Sequence, residues 1–150
     1  MKPSMKRVLI VVATLLVLGG VNWSILAKER IKGNGESILL ALAPVDPRSL
    51  MQGDYMALRF AIESHIPTDT SGSIGLLVDA NRVATVNPDQ NAAGLRIKYR
   101  IRNGRVWIGT NAYFFEEGTA ERYAGAKFGE FRVDRDSGEA VLVGLRINTY

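Results

Sequence analysis

The residues best equipped for chemistry gather in one short stretch, 44–60 (PVDPRSLMQGDYMALRF), which places Asp46, Arg48, Ser49 and Asp54 close together. Two carboxylates, a guanidinium and a hydroxyl on one loop could line a recognition site at the mouth of a hairpin, because loops carried on rigid strands often hold binding groups. The plainer reading of the same residues is turn chemistry. Asp46-Pro47 starts a turn, since the Asp side chain bonds its own backbone and Pro presets φ. Gly53 takes a positive φ before the chain extends again. Elsewhere the chemical groups thin out. Glu116 and Glu117 are adjacent, so their carboxylates diverge and do not form an acid/base pair by spacing. With Arg122 and Tyr123 they are secondary binding candidates. His65 is the one histidine and starts a loop rich in Ser and Thr. A lone histidine without a Ser, Cys or metal partner in sequence reads as an exposed loop residue. There is no cysteine, which excludes disulfides, thiol catalysis and Cys-ligated metal, and one His excludes a multi-His metal site. No phosphate-cradling loop or GxSxG elbow is present. No cofactor is expected.

These groups need elements to hold them. Val8 to Leu26 runs nineteen residues without a charge. At about 1.5 Å per residue it spans roughly 28 Å, one bilayer core. Lys2, Lys6 and Arg7 precede it and Trp23 stands near its far end, as for an anchor that starts in the cytoplasm. Cleavage as a signal peptide would need a small-x-small site, and Ala27 has Ile25 two residues before it. The sequence therefore divides into a tail (1–7), a transmembrane anchor (8–27), a polar linker with two glycines (28–35) and an extracytoplasmic domain (36–150). Three of the basic residues behind the net charge of +4 lie in the tail; the rest of the chain holds sixteen basic residues against fifteen acidic. Nucleic acid is not the expected partner.

Within the domain, period-two patterns dominate. Residues 36–43 (ESILLALA) read as a strand closed by Pro44. From Asp54 to Ile62, Met56, Leu58, Phe60 and Ile62 share a face that looks buried, and Tyr55, Ala57 and Arg59 share the other. Residues 74–79 and 82–86 form a hairpin over Asp79-Ala80-Asn81. Residues 95–101 alternate most cleanly, with Arg96, Lys98, Arg100 and Arg102 on one side, and Asn103-Gly104 turns them back into 105–108. Four cations on one face could meet an anionic lipid or another polyanion, but the plainer expectation is that acidic cross-strand partners neutralise them. Residues 117–128 change to helical spacing with Thr119 as a cap, and 130–134 and 139–147 close the domain as a hairpin. The expected fold is mainly β, about eight strands in an antiparallel sheet or partly open barrel with one short helix.

Gly53-Asp54-Tyr55-Met56-Ala57-Leu58-Arg59-Phe60 resembles the signature of the GDYXXLXY proteins, a bacterial family of membrane-anchored domains, with Phe60 where the signature has Tyr. The resemblance implies no established activity. Because such proteins are often encoded beside multi-pass membrane proteins, it implies a bacterial inner-membrane location, a domain in the periplasm or outside, and an integral membrane partner. It makes Asp46, Arg48, Ser49, Gly53, Asp54, Tyr55, Leu58 and Phe60 the recognition candidates. A second similarity runs from Pro47 to Asp54, toward the stretch after the nucleophile of type I signal peptidases. In that register Val45 stands where the catalytic serine belongs, so a peptidase would have to use Ser49, with Lys98 as base. An accessory interaction domain is therefore the expected function, a signal-peptidase-like hydrolase or an inactive relative the alternative, and a small-ligand barrel the third.

Overall fold

The computed structural model describes residues 3–44, 51–52 and 55–149. It is one long helix, α1 (Pro3–Asn34), followed by antiparallel strands: β1 (Glu36–Ala41), β2 (Met51–Gln52), β3 (Tyr55–Ala57), β4 (Gly72–Val78) and β5 (Ala84–Val86). Then come β6 (Arg96–Arg102), β7 (Arg105–Trp107), β8 (Ala112–Phe114), β9 (Phe128–Val133) and β10 (Ala140–Arg146), with 3-10 turns at Ala61–His65 and Ala120–Arg122.

The helix is apolar on all sides through its uncharged run, and its side chains stand uncovered, from Val8 at 62% exposed to Trp23 at 77%. A helix without a polar face belongs in a buried or lipid environment. Its length and composition are compatible with a single-pass membrane anchor. The polar linker expected at 28–35 is instead the end of this helix. Lys28, Glu29 and Arg30 are good helix formers, and Ile31 is buried where α1 meets β9. The Gly35 N–H donates to the Ile31 carbonyl at 2.8 Å, and β1 begins at the next residue. Three contacts fasten the junction. Lys28 Nζ meets Glu139 Oε2 at 2.6 Å, Arg135 Nη2 meets Glu36 Oε2 at 2.6 Å, and Arg132 Nη1 donates to the Gly35 carbonyl at 3.3 Å.

The strands form three sheets, ordered β1-β9-β10, β2-β3-β8 and β5-β4-β6-β7. Two links join the first and third into a partly open barrel. At one side Leu39 bridges Val83, its N–H donating to the Arg82 carbonyl at 2.7 Å. At the other, the Lys98 N–H donates to the Gly138 carbonyl at 2.7 Å, so the tip of the β9–β10 hairpin reaches the free edge of β6. Side chains fill the interior: Phe60, Phe131, Ile38, Leu40, Ile97, Ile108 and Val133 are essentially inaccessible.

The expected hairpins form. β4 and β5 pair over residues 79–81, where Asp79 Oδ1 accepts from the Asn81 and Val83 N–H groups. β6 and β7 pair over Asn103-Gly104, whose φ values of 51° and 70° give both turn residues the left-handed conformation that an Asn-Gly turn supplies. Three expectations fail. The strand from Asp54 to Ile62 ends at Ala57 and turns 3-10 at Ala61, although Met56, Leu58, Phe60 and Ile62 are all buried as the alternation implied. It pairs with β2 and β8, and the chain just past β1 meets it at the Leu42–Phe60 bridge, where the Ala43 N–H donates to the Arg59 carbonyl at 2.8 Å. The helix expected over 117–128 shrinks to one 3-10 turn: Thr119 Oγ1 donates to the Glu116 carbonyl instead of capping, and Gly118 and Gly125 flank a segment too short to hold a helix alone. On β6 the residues directly opposite the cations are Gly75, Ser73, Trp107 and Arg105, not acids.

Candidate functional site

The alternation of a strand decides which motif residues can meet a partner. Leu58 and Phe60 cannot, being 2% and 1% exposed. The Leu58 N–H donates to the Asn111 carbonyl at 2.7 Å, and the Phe60 N–H donates to Glu63 Oε1 at 2.8 Å. The Phe60 ring stands edge-on to Phe131 with centroids 5.1 Å apart. These two residues position the strand. Asp46, Arg48, Ser49, Gly53 and Asp54 lie outside the described residues.

Tyr55 faces the other way. It pairs with Phe114 across β3 and β8, and the two rings sit 5.6 Å apart, tilted by 39°. Phe114 is 74% exposed. Tyr113, one residue along β8, turns inward beside Met56 and packs against the core. Its ring meets Tyr123 edge-on at 5.2 Å, and Tyr123 stacks on Phe115 at 5.4 Å. Burial, with a hydrogen bond to Tyr123, raises the Tyr113 phenol above its ordinary pKa, and nearby Arg122 opposes the shift. A surface groove of about 470 Å³ lies among Tyr113, Phe114, Phe115, Glu116, Arg122 and Tyr123.

The structure thus brings Glu116, Arg122 and Tyr123 to one groove. The groove borders a small sheet whose outer face shows Tyr55 and Phe114. Such a surface offers ring faces, a phenol, a guanidinium and a carboxylate. That combination suits recognition, since aromatic residues and Arg concentrate binding energy in protein interfaces. Sequence reasoning missed Phe114 and Tyr113; the aromatic run 113–115 was a local signal, but the pairing of β8 with β3 that gives it meaning is a distant one.

Other candidate groups are placed differently. Ser64 Oγ donates to the Ala61 carbonyl at 2.9 Å and lies 3.1 Å from His65 Nδ1, on an exposed turn. A hydroxyl that gives its proton to a backbone carbonyl is not activated by the ring. Lys98 stands on the outer face of β6 in a groove with Lys28 and Glu139. Glu63 is held partly buried against Phe60, and burial raises its carboxyl pKa despite the backbone bond and Arg59.

A family model described as GDYXXLXY protein matches residues 17–145, and the chain belongs to that family. No curated protein and no solved structure matches it.

Proposed function

We propose that this GDYXXLXY family member is a membrane-anchored accessory domain whose aromatic face docks on an integral membrane protein. The observation that carries the reading is the Tyr55–Phe114 pair, half-buried at Tyr55 and exposed at Phe114, built partly from the motif strand itself. A tilted aromatic pair that shows one ring to solvent on a short sheet is more than scattered surface apolarity, and grouped apolar side chains at a surface mark interaction sites. The bare helix supports the membrane half of the reading. It confines the domain beside a bilayer, where integral membrane proteins are the neighbours at hand. The basic residues Lys2, Lys6 and Arg7 ahead of the uncharged run support an N-terminus in the cytoplasm of a bacterial cell, with the domain beyond the inner membrane.

The test is a mild-detergent pull-down of tagged full-length chain beside Phe114→Ser and Tyr55→Ala variants, with circular dichroism to confirm folding. The expected result is a multi-pass membrane protein retained by the wild type and reduced about tenfold or more in either variant, the scale of an interface hot spot. Equal retention by folded variants, or recovery of no membrane protein, overturns the reading.

A further inference from the structure

The groove between α1 and β6 has a second character, and it is not aromatic docking. It measures about 610 Å³ and runs from the helix residues Trp23 and Lys28 to Lys98, Arg100, Arg102 and Trp107 of the β6–β7 hairpin. We propose that this groove binds the anionic headgroups of phospholipids in the bilayer that α1 crosses, an inference that rests on the membrane-anchor reading above.

Three observations carry it. The first is position. The uncharged run ends at Leu26, and the groove wall on the helix spans that end, from Trp23 to Lys28. Tryptophan sits at headgroup depth in membrane proteins, so the groove opens at the layer where lipid phosphates lie. The second is charge. Lys98, Arg100 and Arg102 point from one strand face at intervals of about 7 Å, and all three are exposed. Their cross-strand neighbours Ser73, Trp107 and Arg105 offer no carboxylate. Glu139 is the acid lining the groove; its field also reaches Lys98 and Arg100, but its carboxylate contact is with Lys28, at 2.6 Å. Asp134, whose field reaches Lys98, has its Oδ1 engaged by the Asp136 and Ser137 N–H groups. The third is preorganisation. The Arg102 guanidinium lies 5.0 Å over the Trp107 ring, which fixes its plane while leaving its donors free for phosphate oxygens. The anionic surface of a bilayer attracts each such cation by about fivefold in affinity. Three cations together amount to the order of a hundredfold.

The experiment reconstitutes full-length protein into nanodiscs of equal phosphatidylglycerol and phosphatidylcholine. Native mass spectrometry then counts the lipids that stay bound on release. The wild type is expected to retain phosphatidylglycerol at least tenfold over phosphatidylcholine. Lys98→Gln/Arg100→Gln/Arg102→Gln, substituted at exposed positions, should bring the ratio near one. Glu139→Gln, which removes the facing acid, should raise it, and this holds the proposal to account even if the triple variant misfolds. A Lys2→Gln/Lys6→Gln/Arg7→Gln variant controls for lipids held by the tail. A wild-type ratio near one, a ratio unchanged in the folded triple variant, or one lost only with the tail overturns the inference and leaves the anchor reading standing. Loss of the preference in millimolar inorganic phosphate assigns the groove to a free anion and overturns it as well. Failure to enter nanodiscs at all overturns the anchor, and this inference with it.

Discussion

Two aromatic pairs, Phe60–Phe131 and Tyr55–Phe114, sit at nearly the same spacing, 5.1 and 5.6 Å between centroids. The first is sealed in the barrel at 1% and 0% exposure; in the second Phe114 is 74% exposed. Both draw one ring from the same motif. Alternation sends Tyr55 outward and Met56, Leu58 and Phe60 inward, so a single strand nails the small sheet to the core and displays its face. The difference teaches that the motif is structural and presentational at once. Losing its inner residues would abolish the display indirectly, whereas losing its outer ones would abolish it alone.

Perturbations can break that contrast. Phe131→Ala removes the buried partner of Phe60 and is expected to cost about 3–5 kcal/mol in denaturant unfolding, the range for a large aromatic lost from a core. Gly129→Ala is next. An added Cβ there would stand 2.8 Å from a Phe60 ring carbon and 3.2 Å from a Leu142 methyl, so overpacking of about 1–3 kcal/mol is expected from the same measurement. Phe114→Ser should change stability by no more than about 0.5 kcal/mol, as for an ordinary surface site, while removing the proposed docking surface. A large loss of stability would show that the outer pair is core in disguise.

Acid gives the smallest expected effect. Lys28 holds the Glu139 carboxyl below its ordinary range, and the Ser137 and Asp136 N–H groups do the same for Asp134. Both depressed groups lend stability that is present above the ordinary carboxylate pKa and is lost as pH falls through their lowered values. Glu63 has the opposite sign, since burial raises its pKa and its protonation on acidification favours the fold. Unfolding midpoints followed from pH 7 to pH 3 should fall, and Glu139→Gln should flatten part of that fall. A midpoint that rises on acidification would make Glu63 the dominant group.

Local rules were legible in the sequence and distant pairings were not. Asn103-Gly104 announced its hairpin because both positions needed the left-handed conformation, and the alternation of residues 95–101 named the buried side correctly. Nothing local could show that β1 seeks β9, since partners such as Ile38 and Phe131 are far apart in the chain. The end of α1 escaped notice for a related reason. Its two glycines and polar residues look like a linker until Ile31 is seen buried against the strands. Of the candidate site, Tyr55 was readable from its place in the motif. Phe114 was not, because its meaning comes from standing opposite Tyr55 on another strand.

The junction at Gly35 has a mechanical consequence. A domain on a flexible tether sweeps a hemisphere and meets its partner at any tilt. Here helix passes into strand within one residue, with Ile31 buried against the strands and Lys28, Arg132 and Arg135 bridging the joint at its surface. For a chain seated in a bilayer, spin about the helix axis is then the main freedom left. The Tyr55–Phe114 face travels a ring of fixed height above the lipid. A partner of the proposed kind would then present its complement near one elevation, and the search for it would reduce to sliding and spinning in a plane.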